Sequence, residues 1–125
     1  MALKRIGIAL LVPFLTFTCA PKAMAHAQFR SSYPSANQVV KVAPTSAWIL
    51  FNEDILTLNG KAKNYLQVVG ASRERVDVGS AVVVKSKISV NLRKNLQPGK
   101  YQLQYRVVSA DGHALKGSIS FTFKP

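Results

Sequence analysis

The strongest constraint in this sequence is a period-two alternation of apolar and polar residues, cut at short intervals by turn-forming pairs. Between residues 100 and 109, Tyr101, Leu103, Tyr105 and Val107 alternate with Gln102, Gln104 and Arg106. Successive side chains of a strand point to opposite faces, so this pattern predicts a strand with one dry face and one wet face. Residues 117–124 repeat it, with Ile119, Phe121 and Phe123 against Ser118, Ser120 and Thr122. Residues 46–52 set Ala47, Ile49 and Phe51 against Trp48 and Leu50, apolar on both sides as in a central strand. Weaker strands are expected at 28–33, 64–69, 74–78, 81–84 and 87–92. The pairs Tyr33-Pro34, Ala43-Pro44, Asn59-Gly60, Gly79-Ser80, Pro98-Gly99 and Asp111-Gly112 supply turn chemistry between them. No window sustains a 3.6-residue apolar period between helix caps. Seven or eight short strands with such punctuation predict an all-β domain, a β-sandwich or small Greek-key barrel. Its core is expected to draw on Trp48, the tyrosines, four phenylalanines and the aliphatic set.

The first 25 residues stand apart from this pattern. Lys4 and Arg5 precede an apolar run from Ile6 to Phe17, and Ala23-Met24-Ala25 closes the segment with small residues around one larger one. That is the layout of a secretory signal peptide cleaved after Ala25, and the run is short of the about 20 residues that span a bilayer. Cys19 follows Thr16-Phe17-Thr18, a poor match to a lipoprotein signal, and is read as filler in the discarded peptide. Residues 26–125 then form one domain with no expected membrane span. They hold fourteen Lys and Arg against five Asp and Glu, a formal charge of +9 where the full chain has +12. They hold neither Cys nor Met, and both histidines of the chain remain.

Those two histidines carry the chemistry. Cleavage makes His26 the first residue, which offers a free α-amine and an imidazole Nδ1 that together close a six-membered chelate ring. The amine has a reference pKa near about 8, so deprotonation for metal binding costs little. His113 lies in Ser109-Ala110-Asp111-Gly112-His113. In an extended segment, Asp111 and His113 would point the same way with Gly112 leaving room between them. The set His26, Asp111 and His113 then gives three nitrogens and one oxygen. A nitrogen-rich planar set suits Cu(II), and a chain without thiolate or thioether offers no soft Cu(I) site. A plainer account exists for each part: His26 as whatever follows a cleavage site, and His113 as a residue of a surface turn.

The sequence resembles the periplasmic copper-binding CopC family, including its stand-alone YobA-type members. His26-Ala27-Gln28-Phe29 with Ser32, Tyr33-Pro34 and Ala36 is similar to the family's opening. Ala43-Pro44 with Ile49-Leu50-Phe51-Asn52-Glu53, Leu96-Gln97-Pro98-Gly99-Lys100-Tyr101, and Val107 to His113 with Gly117-Ser118 and Phe121 resemble its later motifs in order. The resemblance implies an immunoglobulin-like (cupredoxin-like) Greek-key β-sandwich of about seven strands over residues 26–125. It implies one Cu(II) ion per chain, held by His26, Asp111 and His113, in a periplasmic carrier or buffer for copper homeostasis or resistance that is not an enzyme. It also places a carboxylate near the metal at Glu53, as a weak ligand or as a hydrogen-bond partner of the α-amine; the alternative is a surface acid beside Asp54. A CopD-like inner-membrane protein is the implied partner. The methionine-rich Cu(I) loop of some members has no counterpart here.

Two other functions compete. A copper monooxygenase would also use a terminal histidine and a second histidine on a β-sandwich. The chain is short for a substrate platform, and Asp111 as a fourth donor would close the coordination that oxygen chemistry needs open. A basic interaction module would use the +9 charge alone. Its cations are scattered and not interleaved with stacking aromatics, which argues against nucleic acid and leaves anionic lipid or an acidic partner.

Overall fold

The computed structural model describes residues 27–57 and 63–125. The expected signal peptide, His26 and the Asn59-Gly60 pair lie outside them. Eight strands follow in order: β1 Phe29–Tyr33, β2 Val39–Val40, β3 Ser46–Phe51, β4 Tyr65–Gly70, β5 Asp77–Val84, β6 Lys87–Leu92, β7 Gly99–Val108 and β8 Ala114–Phe123. One sheet has the order β1-β3-β6-β5, the other β2-β8-β7-β4. All neighbours are antiparallel except β2, which runs parallel to the end of β8. The expected all-β sandwich is therefore the observed fold, with the two-residue β2 as an eighth strand.

The alternation in the sequence decides which face is buried. In β7, Tyr101, Leu103, Tyr105 and Val107 are buried while Gln102, Gln104 and Arg106 are not. Ile119, Phe121 and Phe123 of β8 do the same opposite Ser118 and Ser120. Ala47, Ile49 and Phe51 of β3 meet them from the other sheet, and β3 is central, as its apolar outer positions suggested. Phe51 packs edge-on to Tyr105 with centroids 5.6 Å apart, and Tyr101 stacks on Phe121 at 5.3 Å. Such ring pairs add about 0.5–1.5 kcal/mol to the burial of their area.

Two expectations are corrected. Trp48, Phe29, Tyr33 and Tyr65 stay out of the core: Trp48 is half-buried on an outer face, and the other three are exposed. The alternation puts Trp48 and Tyr33 on the solvent side, and size alone does not move a side chain across a sheet. Gly79-Ser80 is not a turn between two strands but a bulge inside β5, where the register slips between Val78 and Val82 and Gly79 takes φ 73°. The turn itself is Lys85-Ser86, with Lys85 in the left-handed region at φ 54°.

One polar contact fastens the sheets together at their open side. The Asp77 side chain on β5 is only 1% exposed and accepts the Val68 N–H of β4 at 2.9 Å. It also accepts Arg75 Nη2 at 2.6 Å and Nε at 3.3 Å. Burial alone would raise the Asp77 carboxyl; the Arg75 hydrogen bonds, the Val68 N–H and the Arg75 charge outweigh it and hold the group below its ordinary value.

Candidate metal centre

The β7–β8 hairpin ends in the loop Ser109 to His113. Ser109 N–H donates to His113 O at 2.9 Å, and Gly112 N–H donates to Ser109 O at 2.9 Å. Gly112 sits at φ 86°, where a side chain would be strained. Inside this ring Asp111 Oδ1 accepts the His113 backbone N–H at 3.0 Å. It also accepts the hydroxyl of Ser109, which is buried and lies 3.2 Å from His113 O. Asp111 Oδ2 stands 3.1 Å from His113 Nδ1. The Ser109 hydroxyl first, and then the His113 N–H, hold the Asp111 carboxyl well below the usual carboxylate range. The carboxylate is thus a fixed anion at neutral pH.

The two residues therefore come together, but not for the expected reason. Asp111 and Gly112 are in a turn and not an extended segment. The aspartate folds back on its own backbone, as Asx residues do in tight loops. That closure brings its second oxygen to the imidazole. Two donors about 2.0–2.1 Å from a first-row divalent ion and at right angles lie about 2.9 Å apart. The 3.1 Å separation of Oδ2 and Nδ1 is close to that bite. The imidazole is 70% exposed and the carboxylate 25%, so an ion reaches both from solvent.

The start of the described chain lies beside this loop. Ala27 is 3% exposed and lines a cavity of about 310 Å³ with Ser109, His113, Ala114 and Leu115. Gln28 N–H donates to Asn52 Oδ1 at 2.6 Å, and Asn52 N–H donates to Gln28 O at 2.9 Å. Ile55 bridges to Ser109, and Leu56 N–H donates to Val108 O at 2.8 Å. Glu53 is half-buried on the segment between these ties. Among the described residues, no group of three or more His, Cys, Asp or Glu side chains gathers in one place. Asp111 and His113 are a pair, and Glu53 does not join them in such a cluster.

Sequence reasoning missed Ser109 and Asn52 as supports. Ser109 carried a signal in its place two residues before Asp111, the spacing at which a serine and an aspartate share one loop. Asn52 carried none, because its partner is 24 residues away.

The CopC domain model matches residues 29–124. Copper transport protein CutJ of Bacillus subtilis (strain 168) is 34% identical over 117 residues, covering 90% of this chain and 20% of its own length. The chain thus spans about a fifth of that relative. Protein YobA of Escherichia coli (strain K12) is 30% identical over 126 residues, covering 96% of this chain and 94% of its own. The crystal structure of CopC from Methylosinus trichosporium OB3b superposes with a TM-score of 0.69 at 22% identity, covering 80% of this chain and 95% of that one. Its likeness speaks for the fold. A matched domain that spans nearly all the described residues, on the same two-sheet architecture, makes this chain a member of the CopC family.

Proposed function

We propose that this protein is an exported Cu(II)-binding carrier or buffer that serves copper homeostasis or resistance in the periplasm. It takes one ion per chain. The donors are the α-amine and imidazole of His26, freed by cleavage after Ala25, with the carboxylate of Asp111 and the imidazole of His113. The observation that carries this reading is the loop in which Asp111 and His113 are held 3.1 Å apart beside Ala27, the residue next to His26 in sequence. Family membership supports copper as the cargo and a binding role without catalysis. The names of CutJ and of the copper resistance proteins among the relatives support it too. The donor chemistry adds the oxidation state: residues 26–125 carry no sulfur, and nitrogen with carboxylate oxygen favours Cu(II).

Each residue has a task in this reading. Asp111 brings a permanent negative charge, which Ser109 and the loop backbone keep ionised and aimed. His113 supplies an imidazole nitrogen from the same loop. Glu53, fixed between Asn52 and Ile55, serves as a weak ligand or steadies the α-amine. A CopD-like inner-membrane protein receives or donates the ion.

Electron paramagnetic resonance on the processed protein tests the reading. Nitrogen hyperfine structure is expected from Cu(II), changed by His113→Ala and by His26→Ala. One extra residue before His26 removes the chelating amine and is expected to abolish most of the affinity in isothermal titration. Unchanged affinity in the extended protein would overturn the assignment of the terminus.

A further inference from the structure

The two outer faces of the sandwich differ in character. Across the sheet β2-β8-β7-β4, the outer positions of β7 and β8 are polar, among them Gln102, Gln104, Arg106, Lys116, Ser118 and Ser120, and Tyr65, Val69 and Val39 sit apart on the two edge strands. The other sheet is unlike it. Its register sets Tyr33, Trp48, Ser89 and Val82 in one row, and Ser31, Leu50, Lys87 and Val84 in the next. Val82 is 57% exposed, Val84 63% and Tyr33 37%, and Trp48 and Leu50 are half-buried. Val78 extends the strip beyond the bulge at 45% exposed. Lys87 Nζ lies 4.9 Å from the Trp48 ring centroid, and Lys85 stands on the adjoining turn. No strand position that shares this face is acidic.

We infer that this face docks on an anionic lipid membrane. Aromatic and aliphatic side chains beside lysines match an interface whose headgroups are negative and whose interior is apolar. The face is an open sheet, and the cavity beside Ala27 is lined by none of its residues. The net charge of +9 adds long-range attraction to the same surface.

The sole tryptophan of the chain is Trp48, so its fluorescence reports on this face directly. The processed protein is mixed with phosphatidylglycerol–phosphatidylcholine vesicles and with pure phosphatidylcholine vesicles, with and without copper. Binding by sedimentation and a blue shift of Trp48 emission are expected on the anionic vesicles, weakened by salt and independent of copper. The exposed double change Val82→Ser with Val84→Ser is expected to remove the blue shift. Lys85→Gln with Lys87→Gln lowers partitioning about 25-fold, at about fivefold per lysine. The charge-matched change Lys100→Gln with Lys116→Gln on the polar sheet lowers it less. All variants share one N-terminus, so differences among them belong to the face. Equal binding to both vesicle types, no blue shift, or an equal loss from the two lysine pairs would overturn the inference. So would self-association through the face, seen as a dimer in sedimentation velocity.

Discussion

Replacing Asp77 by Asn removes one charge and almost no volume at the contact that joins β5 to β4. In the native protein the carboxylate accepts Val68 N–H at 2.9 Å and the Arg75 guanidinium at 2.6 Å. An amide oxygen still accepts Val68 N–H, but as a neutral bond of about 1 kcal/mol in place of a charge-assisted one of about 1.5–3 kcal/mol. The Arg75 half is worth less, about 0.5 kcal/mol, because that side chain is 55% exposed and screened by water. The sum is a loss of about 1–2.5 kcal/mol, which for a domain of this size lowers Tm by about 10 °C. The pH dependence fixes the cause. The folded-state carboxyl is depressed, so its contribution is complete above the unfolded value of about 3.9 and is lost as pH falls through the lower folded value. Urea unfolding of the native protein and Asp77→Asn, followed by Trp48 emission, gives the gap at each pH. It is expected to be full at pH 7 and to close as pH falls through the lowered folded value. Equal midpoints at pH 7, or a gap that persists in acid, would refute the reasoning.

Further outcomes follow from the site and the core. Ser109→Ala leaves the fold in place and lowers copper affinity by about 10-fold or more, the usual effect of losing a group that orients a metal ligand; titration calorimetry with circular dichroism checks both halves. Gly112→Ala forces a side chain into φ 86° and costs about 1–2 kcal/mol in chemical denaturation, with copper binding weakened through the loop. Phe121→Ala opens a cavity beside Tyr101 and costs about 3–5 kcal/mol, enough to leave much of the protein unfolded at 37 °C by circular dichroism.

The sequence made most of the fold legible because its strands obey a period that physics imposes. Tyr101 to Val107 and Ile119 to Phe123 could be sorted into dry and wet faces residue by residue, and the structure sorts them the same way. What escaped depended on partners far along the chain. The two-residue β2 exists because it lies beside the end of β8, and nothing local in Val39-Val40 signals that. Gly79-Ser80 reads as a turn locally, and only pairing with β6 makes it a bulge. Trp48 reads as core by size, yet its place in the alternation overrules size. At the site, residue types pointed to Asp111 and His113, while the loop that brings them within 3.1 Å follows from hydrogen bonds among Ser109, Gly112 and His113.

The hairpin that carries this loop has a consequence for how the molecule assembles. Asp111 and His113 are two residues apart, on the tip of a contiguous pair of ten-residue strands. Forming that hairpin closes only a short loop, so its entropic cost is small and it belongs to the fast, local events of folding. Ala27 reaches Ser109 across most of the chain, on the edge strand side of the other sheet. That contact needs the sandwich closed first. Half of the candidate site therefore rests on a local contact, and the other half on a long-range one. On the proposed function, an ion met during export would find a weak two-donor loop before it found a complete chelate, and firm capture would mark a chain that has finished folding.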